Sequence, residues 1–318
     1  MSFQHIRRTL TFALALCAPA AMAAPVWQSD FEQGGASEWT KQQVVSPDRA
    51  QVVPAPGGRA GNALQVTVHQ GDDPINSGND RAELVQMTME PEGSEYVYKW
   101  SVMFAEDYPS SDKWQLFTQW HQEQLAGTPP LEMYVVGEEM RLRPGGHDGP
   151  VVWTAPLQRG VWHDFILRVK WSADPSVGFV ELYHNGTLAL PATPAATQLP
   201  GQKNYLKMGL YRSGDIAQTG VVYFDDVVMA ESLAGVMPAA NAQAAADDEL
   251  MTAPVGSLTD ADADGYEYGE AVTPEEMSSC TGSSTGSVAP VAGALLLLTG
   301  LAVFRRRTPK LAKVAVRS

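Results

Sequence analysis

The sequence predicts an all-β protein, an antiparallel β-sandwich of the jelly-roll kind. Three observations carry that prediction. Between residues 24 and 235 the apolar side chains recur in short alternating runs, and no helical periodicity is sustained. Those runs are rich in Val, Tyr, Trp and Phe, with Gly, Pro, Asn and Asp between them. No strand–helix–strand rhythm intervenes, which points to antiparallel pairing.

Taken in order, "WQSDFEQG" (27–34) opens the domain and "VVYFDDVVMA" (221–230) closes it. Sandwich domains bring their ends together, so these two segments are expected to pair. Their acids Asp30, Glu32, Asp225 and Asp226 could then supply oxygen ligands to a structural calcium ion, although acids flanking edge strands are commonly just solvated. "NDRAELV" (79–85) sends Ala82 and Leu84 inward and Arg81 and Glu83 outward, with Glu83 expected to hold Arg81 in place. "EYVYKWSVMF" (95–104) reads as a strand. In "WQLFTQWHQ" (114–122), strict alternation places Trp114, Leu116, Thr118 and Trp120 on the core face. Gln119 and His121 then point outward, with Gln115 and Phe117.

"LEMYVV" (131–136) is another strand, and "MRLRP" (140–144) puts Arg141 and Arg143 on one face. "WHDFILRVKW" (162–171) precedes "GFVELYHNGTLAL" (178–190), whose "HNG" marks a hairpin turn. In "NYLKMGLYR" (204–212), Leu206, Met208 and Leu210 form a core face. The opposite face carries Tyr205, Lys207, Gly209 and Tyr211, a set that folding does not require.

The two ends are of another kind. Residues 1–23 have a basic start (Arg7, Arg8), an apolar stretch and Ala21-Met22-Ala23, the layout of a secretory signal peptide. Residues 236–287 are acidic and small, read as a disordered spacer. Residues 288–318 hold an apolar run followed by Arg305 to Arg307, and "SSCTGSS" with Cys280 lies just upstream. This tail resembles the C-terminal surface-sorting tags of myxobacteria; a plain single-pass anchor is the alternative. The protein is therefore expected to be exported and held or released at the cell surface. With Cys17 in the leader and Cys280 in the tail, the folded domain has no cysteine, which excludes disulfides and thiolate metal sites.

Residues 24–235 hold 26 acids against 14 Lys and Arg, an excess of 12 negative charges. No nucleic-acid partner is expected. A groove for an acidic polymer would have to concentrate Arg81, Arg141, Arg143, Lys207 and Arg212 locally.

"RAEL", "QWH" and "YLKMGLY", in that order, resemble the motif strands of jelly-roll polysaccharide lyases, the alginate, glucuronan and heparin I types. The resemblance spans roughly Trp27 to Met229 and implies a concanavalin-like jelly roll and an acidic polysaccharide as partner; the protein is expected to be a monomer. It makes Arg81, Gln119, His121 and Tyr205 the catalytic candidates, with Lys207, Tyr211, Arg141, Arg143 and Arg212 as candidates for substrate binding. Val85 stands where alginate lyases carry a further Arg, which loosens the match to that substrate.

Such a lyase removes the C5 proton beside a uronate carboxylate and expels the 4-O-linked sugar. Arg81, Gln119 and a neutral His121 would stabilise the carboxylate as the carbanion forms. Tyr205 would transfer the proton, its pKa lowered by Lys207 on the same face. No cofactor is required by this scheme. Two rivals stand beside it. A carbohydrate-binding module would use the same sandwich without chemistry. A glycoside hydrolase needs a pair of carboxylates, and no strand carries the paired acids of jelly-roll glucanases.

Overall fold

The computed structural model describes residues 24–124 and 127–237. The expected signal peptide 1–23, Cys280, the tail 288–318 and nearly all of the expected spacer 236–287 lie outside the described residues. Among the described residues no helix is long and apolar enough to cross a membrane.

Two antiparallel sheets form the sandwich. The first pairs β3 (Ala50–Pro54), β4 (Asn62–Val68), β15 (Gly220–Ala230), β6 (Glu95–Phe104), β11 (Trp162–Lys170), β12 (Phe179–His184) and β13 (Thr187–Pro194), in that spatial order. The second runs β2 (Lys41–Gln43), β5 (Asp80–Glu90), β14 (Asn204–Arg212), β7 (Gln115–Gln122), β8 (Leu131–Val136), β9 (Glu139–Pro144) and β10 (Trp153–Pro156). The chain ends meet as expected: β1 (Trp27–Ser29) lies on β15, with Trp27 opposite Met229.

The alternation that defines the strands also builds the core. Tyr98 and Trp100 of the first sheet meet Trp120 of the second edge-on, with ring centroids 4.8 and 6.1 Å apart. Trp171 packs against both Tyr98 and Trp120. The "HNG" turn forms the β12–β13 hairpin, with Asn185 and Gly186 both left-handed (φ 51° and 77°). β13 ends one sheet as an exposed edge carrying Pro191 and Pro194, residues that blunt edge-to-edge pairing.

One strand departs from strict alternation. β7 is irregular against both neighbours, between Leu116 and Thr118 on one side and opposite Met208–Tyr211 on the other. This bulge inverts the faces before residue 118. Phe117 therefore lies in the core against Phe104, and Gln115 is buried with its amide donating to the Pro109 carbonyl at 3.1 Å. Trp114 and Leu116, expected inside, face outward instead.

The four acids proposed for calcium are engaged separately. Arg59 Nε sits 2.6 Å from Asp225 and its Nη2 also binds Asp226. Glu32 accepts the Asn62 backbone N–H at 2.8 Å, and Asp30 accepts that of Glu32 at 3.1 Å. Among the described residues no group of three or more His, Cys, Asp or Glu is arranged to hold a metal ion.

The interior contains one carboxyl that makes folding pH-dependent. Glu90 is fully buried and accepts the Tyr98 hydroxyl at 2.7 Å, and burial pushes it up to about 7. The folded state keeps this proton where an unfolded chain releases it. Its contribution is thus complete below the ordinary carboxylate range and is lost as pH rises through about 7. The loss is on the order of 3 kcal/mol. In Glu90→Gln the amide oxygen still accepts from Tyr98, so thermal melts from about pH 5 to 8 should show a smaller decline than in the wild type. Parallel declines would show that Glu90 is not the group responsible.

Candidate active site

The outer face of the second sheet carries a groove of about 870 Å³. Its floor is set by register. On neighbouring β14 and β7, Tyr205 stands opposite His121 and Lys207 opposite Gln119. On β5, Glu83 stands opposite Gly209 and Arg81 opposite Tyr211. Gly209 is what lets the strands approach here. Its φ is +147°, and a Cβ would lie 2.2 Å from the Ala82 carbonyl oxygen.

Glu83, 2% exposed, is the hub of the floor. Arg81 Nη1 reaches its Oε2 at 3.1 Å and Lys207 Nζ reaches the same oxygen at 3.4 Å. Gln119 Nε2 donates to its other oxygen. Lys207 also donates to Gln43 Oε1 on β2 at 3.0 Å. The Arg81 guanidinium lies over the Tyr211 ring, 3.7 Å from its centroid, and donates to Ser77 Oγ at 3.2 Å. Two cations and an amide are thus fixed by a single carboxylate, a pre-set array of donors.

His121 and Tyr205 stand beside this array, ring centroids 5.6 Å apart. His121 Nδ1 is 2.8 Å from the Gln122 carbonyl oxygen. A carbonyl only accepts, so Nδ1 bears the proton in the neutral ring and Nε2 carries the lone pair. Burial lowers the His121 pKa, with Lys207 adding to it and the Gln122 hydrogen bond and Glu83 opposing, and the net direction favours the neutral form. Tyr205 differs from expectation. Burial, reinforced by Glu83, raises its pKa, and Arg81 opposes only in part. Lys207 lies 6.0 Å from its ring centroid with its charge directed at Glu83, so it does not generate a phenolate. Burial pulls the Lys207 ammonium below its ordinary value while Glu83 supports it.

Seven of the nine predicted site residues line the groove: Arg81, His121, Tyr205, Lys207, Tyr211, Arg141 and Arg143. Gln119, 1% exposed, lies beneath the floor and acts through Glu83. Arg212 is corrected outright. It is fully buried on the core side, donating to the Val68 carbonyl at 3.2 Å and lying 3.9 Å from Asp80. Alternation with Tyr211 requires that side.

Arg141 and Arg143 reach the groove already paired. Arg141 Nε binds Glu139 at 2.7 Å, and Arg143 Nε binds the buried Glu132 at 2.7 Å and covers the Tyr134 ring. Sequence reading missed Trp114, Leu116 and Tyr134 as groove residues, along with Gln43 and Glu132. The Trp114 ring meets Tyr211 edge-on at 4.8 Å. The β7 bulge hid Trp114 and Leu116, and the three-residue β2 hid Gln43.

An open groove with a neutral imidazole, a phenol and a clamped cation pair on one face of a β-sandwich defines a carbohydrate-active protein of the acid–base type. Residues 31–228 match the model of the polysaccharide lyase family, and the chain belongs to that family and is a polysaccharide lyase. Among solved structures it is similar to the endo-β-1,4-glucuronan lyase of the fungus Trichoderma reesei, with 18% identity over 68% of this chain and 99% of that one and a TM-score of 0.55. An alginate lyase, Aly36B, solved with an alginate trisaccharide, aligns at 14% identity (66% and 99% covered, TM-score 0.46). A β-glucanase catalytic domain from Podospora anserina aligns at 14% (64% and 91% covered, TM-score 0.46). No curated protein sequence matches the chain.

Proposed function

We propose that this lyase cleaves a uronic-acid-containing polysaccharide by β-elimination at the Tyr205–His121 pair. The observation that carries the reading is the His121–Tyr205 pair on one face, with Nδ1 of the imidazole on the Gln122 carbonyl and the rings 5.6 Å apart; burial lowers the His121 pKa and raises that of Tyr205, which favours a neutral imidazole beside a protonated phenol. His121 Nε2 takes the C5 proton, the electron pair forms the C4–C5 double bond, and the C4–O bond breaks. The Tyr205 hydroxyl gives its proton to the departing oxygen. The resulting imidazolium and phenolate exchange the proton through solvent before the next turnover.

Arg81 and Lys207 share one carboxylate, leaving one positive charge in excess to receive the uronate carboxylate and steady it as negative charge develops. The scheme draws on side chains alone. A hydrolase would need two free carboxylates, yet Glu83 and Glu132, on the floor, are each held by a guanidinium. A sugar-binding module leaves the acid–base pair without purpose. The leader 1–23 and the tail 288–318 support export to the cell surface as part of the same reading.

The test is a panel of purified polyuronates followed by the ultraviolet absorbance of the new double bond. Unsaturated ends are expected from at least one polymer. Binding of several with no unsaturated product from any would replace this reading with the sugar-binding module.

A further inference from the structure

We propose that the preferred substrate is a heteropolysaccharide in which the reacting uronate is flanked by neutral sugars, in preference to an unbroken polyuronate. The inference rests on the elimination reading above and names the substrate class for the same groove. Its basis is the charge balance of the lining. Among the described residues five cations border the groove: Arg81, Lys113, Arg141, Arg143 and Lys207. Glu83 is shared by Arg81 and Lys207, while Arg141 has Glu139, Arg143 has Glu132 and Lys113 has Asp215. Within the Arg81–Lys207–Glu83 cluster one positive charge is left over, and that cluster stands beside His121 and Tyr205. The groove is therefore matched to one carboxylate, at the sugar that reacts.

Away from that point a second carboxylate meets resistance. The Glu132 side chain is 1% exposed and Arg143 gives it both Nε and Nη2, so an anion approaching Arg143 also faces a buried negative charge that it cannot displace without orphaning it. With Asp112 also in the lining, the three cations outside the Glu83 cluster face four acids, so that part of the groove has no positive charge to spare. The lining also includes Trp114, edge-on to Tyr211, Leu116 opposite Tyr211, and Ile75, apolar surface on which the C–H face of an uncharged pyranose packs. With 12 excess negative charges in residues 24–235, a sparsely charged polymer is also repelled less than a continuous polyanion.

The experiment compares kcat/KM at low ionic strength on gellan, whose repeat holds one 4-linked glucuronate among neutral sugars, with that on glucuronan and alginate. Gellan, deacylated, is expected to give the highest value, by tenfold or more for an order-of-magnitude preference of about 1.4 kcal/mol. Equal or faster cleavage of either homopolymer overturns the substrate inference and leaves the elimination reading intact. No unsaturated product from any of the three overturns the elimination reading itself. A variant adds a second check. Glu139→Gln frees the half-exposed Arg141 without disturbing a buried group, and should raise kcat/KM on glucuronan about two- to fivefold while leaving gellan unchanged. An equal effect on both polymers also counts against the inference.

Discussion

Tyr205→Phe is expected to lower kcat by about a hundredfold to ten-thousandfold while leaving the melting temperature nearly unchanged. The substitution removes only a hydroxyl from a half-buried ring, and its packing against His121 survives. Without the phenol no proton reaches the leaving oxygen. KM should move little, because Arg81 and Lys207 still receive the carboxylate. His121→Ala should be as severe for the opposite reason, the loss of the base. Because burial lowers the His121 pKa, the acid limb of kcat/KM should fall below the ordinary imidazole value. Near-wild-type turnover in Tyr205→Phe combined with an inactive His121→Ala would assign both proton transfers to the histidine. Retention of activity in both would place the chemistry outside this pair.

The second large effect is on stability. Glu83→Gln keeps the shape of the hub and removes its charge, leaving Arg81 and Lys207 as buried like charges with nothing between them. Removing one partner of a buried ionic group costs about 3–5 kcal/mol. For a domain of this size that is a fall in melting temperature of roughly 10 °C. Activity should fall as well, since the two donors lose their fixed positions. The double variant Glu83→Gln with Lys207→Met, which removes one of the repelling charges, should recover part of the lost stability. A double variant no more stable than Glu83→Gln alone would mean that charge repulsion is not the cause.

The legible part of this fold was what period-two alternation controls. It separated Leu206, Met208 and Leu210 from Tyr205, Lys207 and Tyr211, because successive side chains on a strand point to opposite faces. The "HNG" hairpin was readable because left-handed backbone at two successive positions favours Asn and Gly. The pairing of the chain ends was readable as well. Short strands such as Lys41–Gln43 were not, since three residues carry too little pattern, and with them went Gln43 as the second partner of Lys207. The β7 bulge was equally silent. An extra residue leaves no mark in the sequence, yet it exchanged Trp114 and Leu116 with Phe117 across the sheet.

By itself, then, the sequence determined the two-sheet architecture and which side chains share a face within each regular strand, because both follow from local backbone geometry. The tertiary structure alone decided what those faces do. Cross-strand register made Glu83 the common partner of Arg81, Gln119 and Lys207, and paired Arg143 with Glu132. Burial, which no single strand specifies, turned the expected Tyr205 phenolate into a protonated phenol and left His121 neutral. Charges and protons respond to every element packed around them, and alternation along one strand describes only that strand.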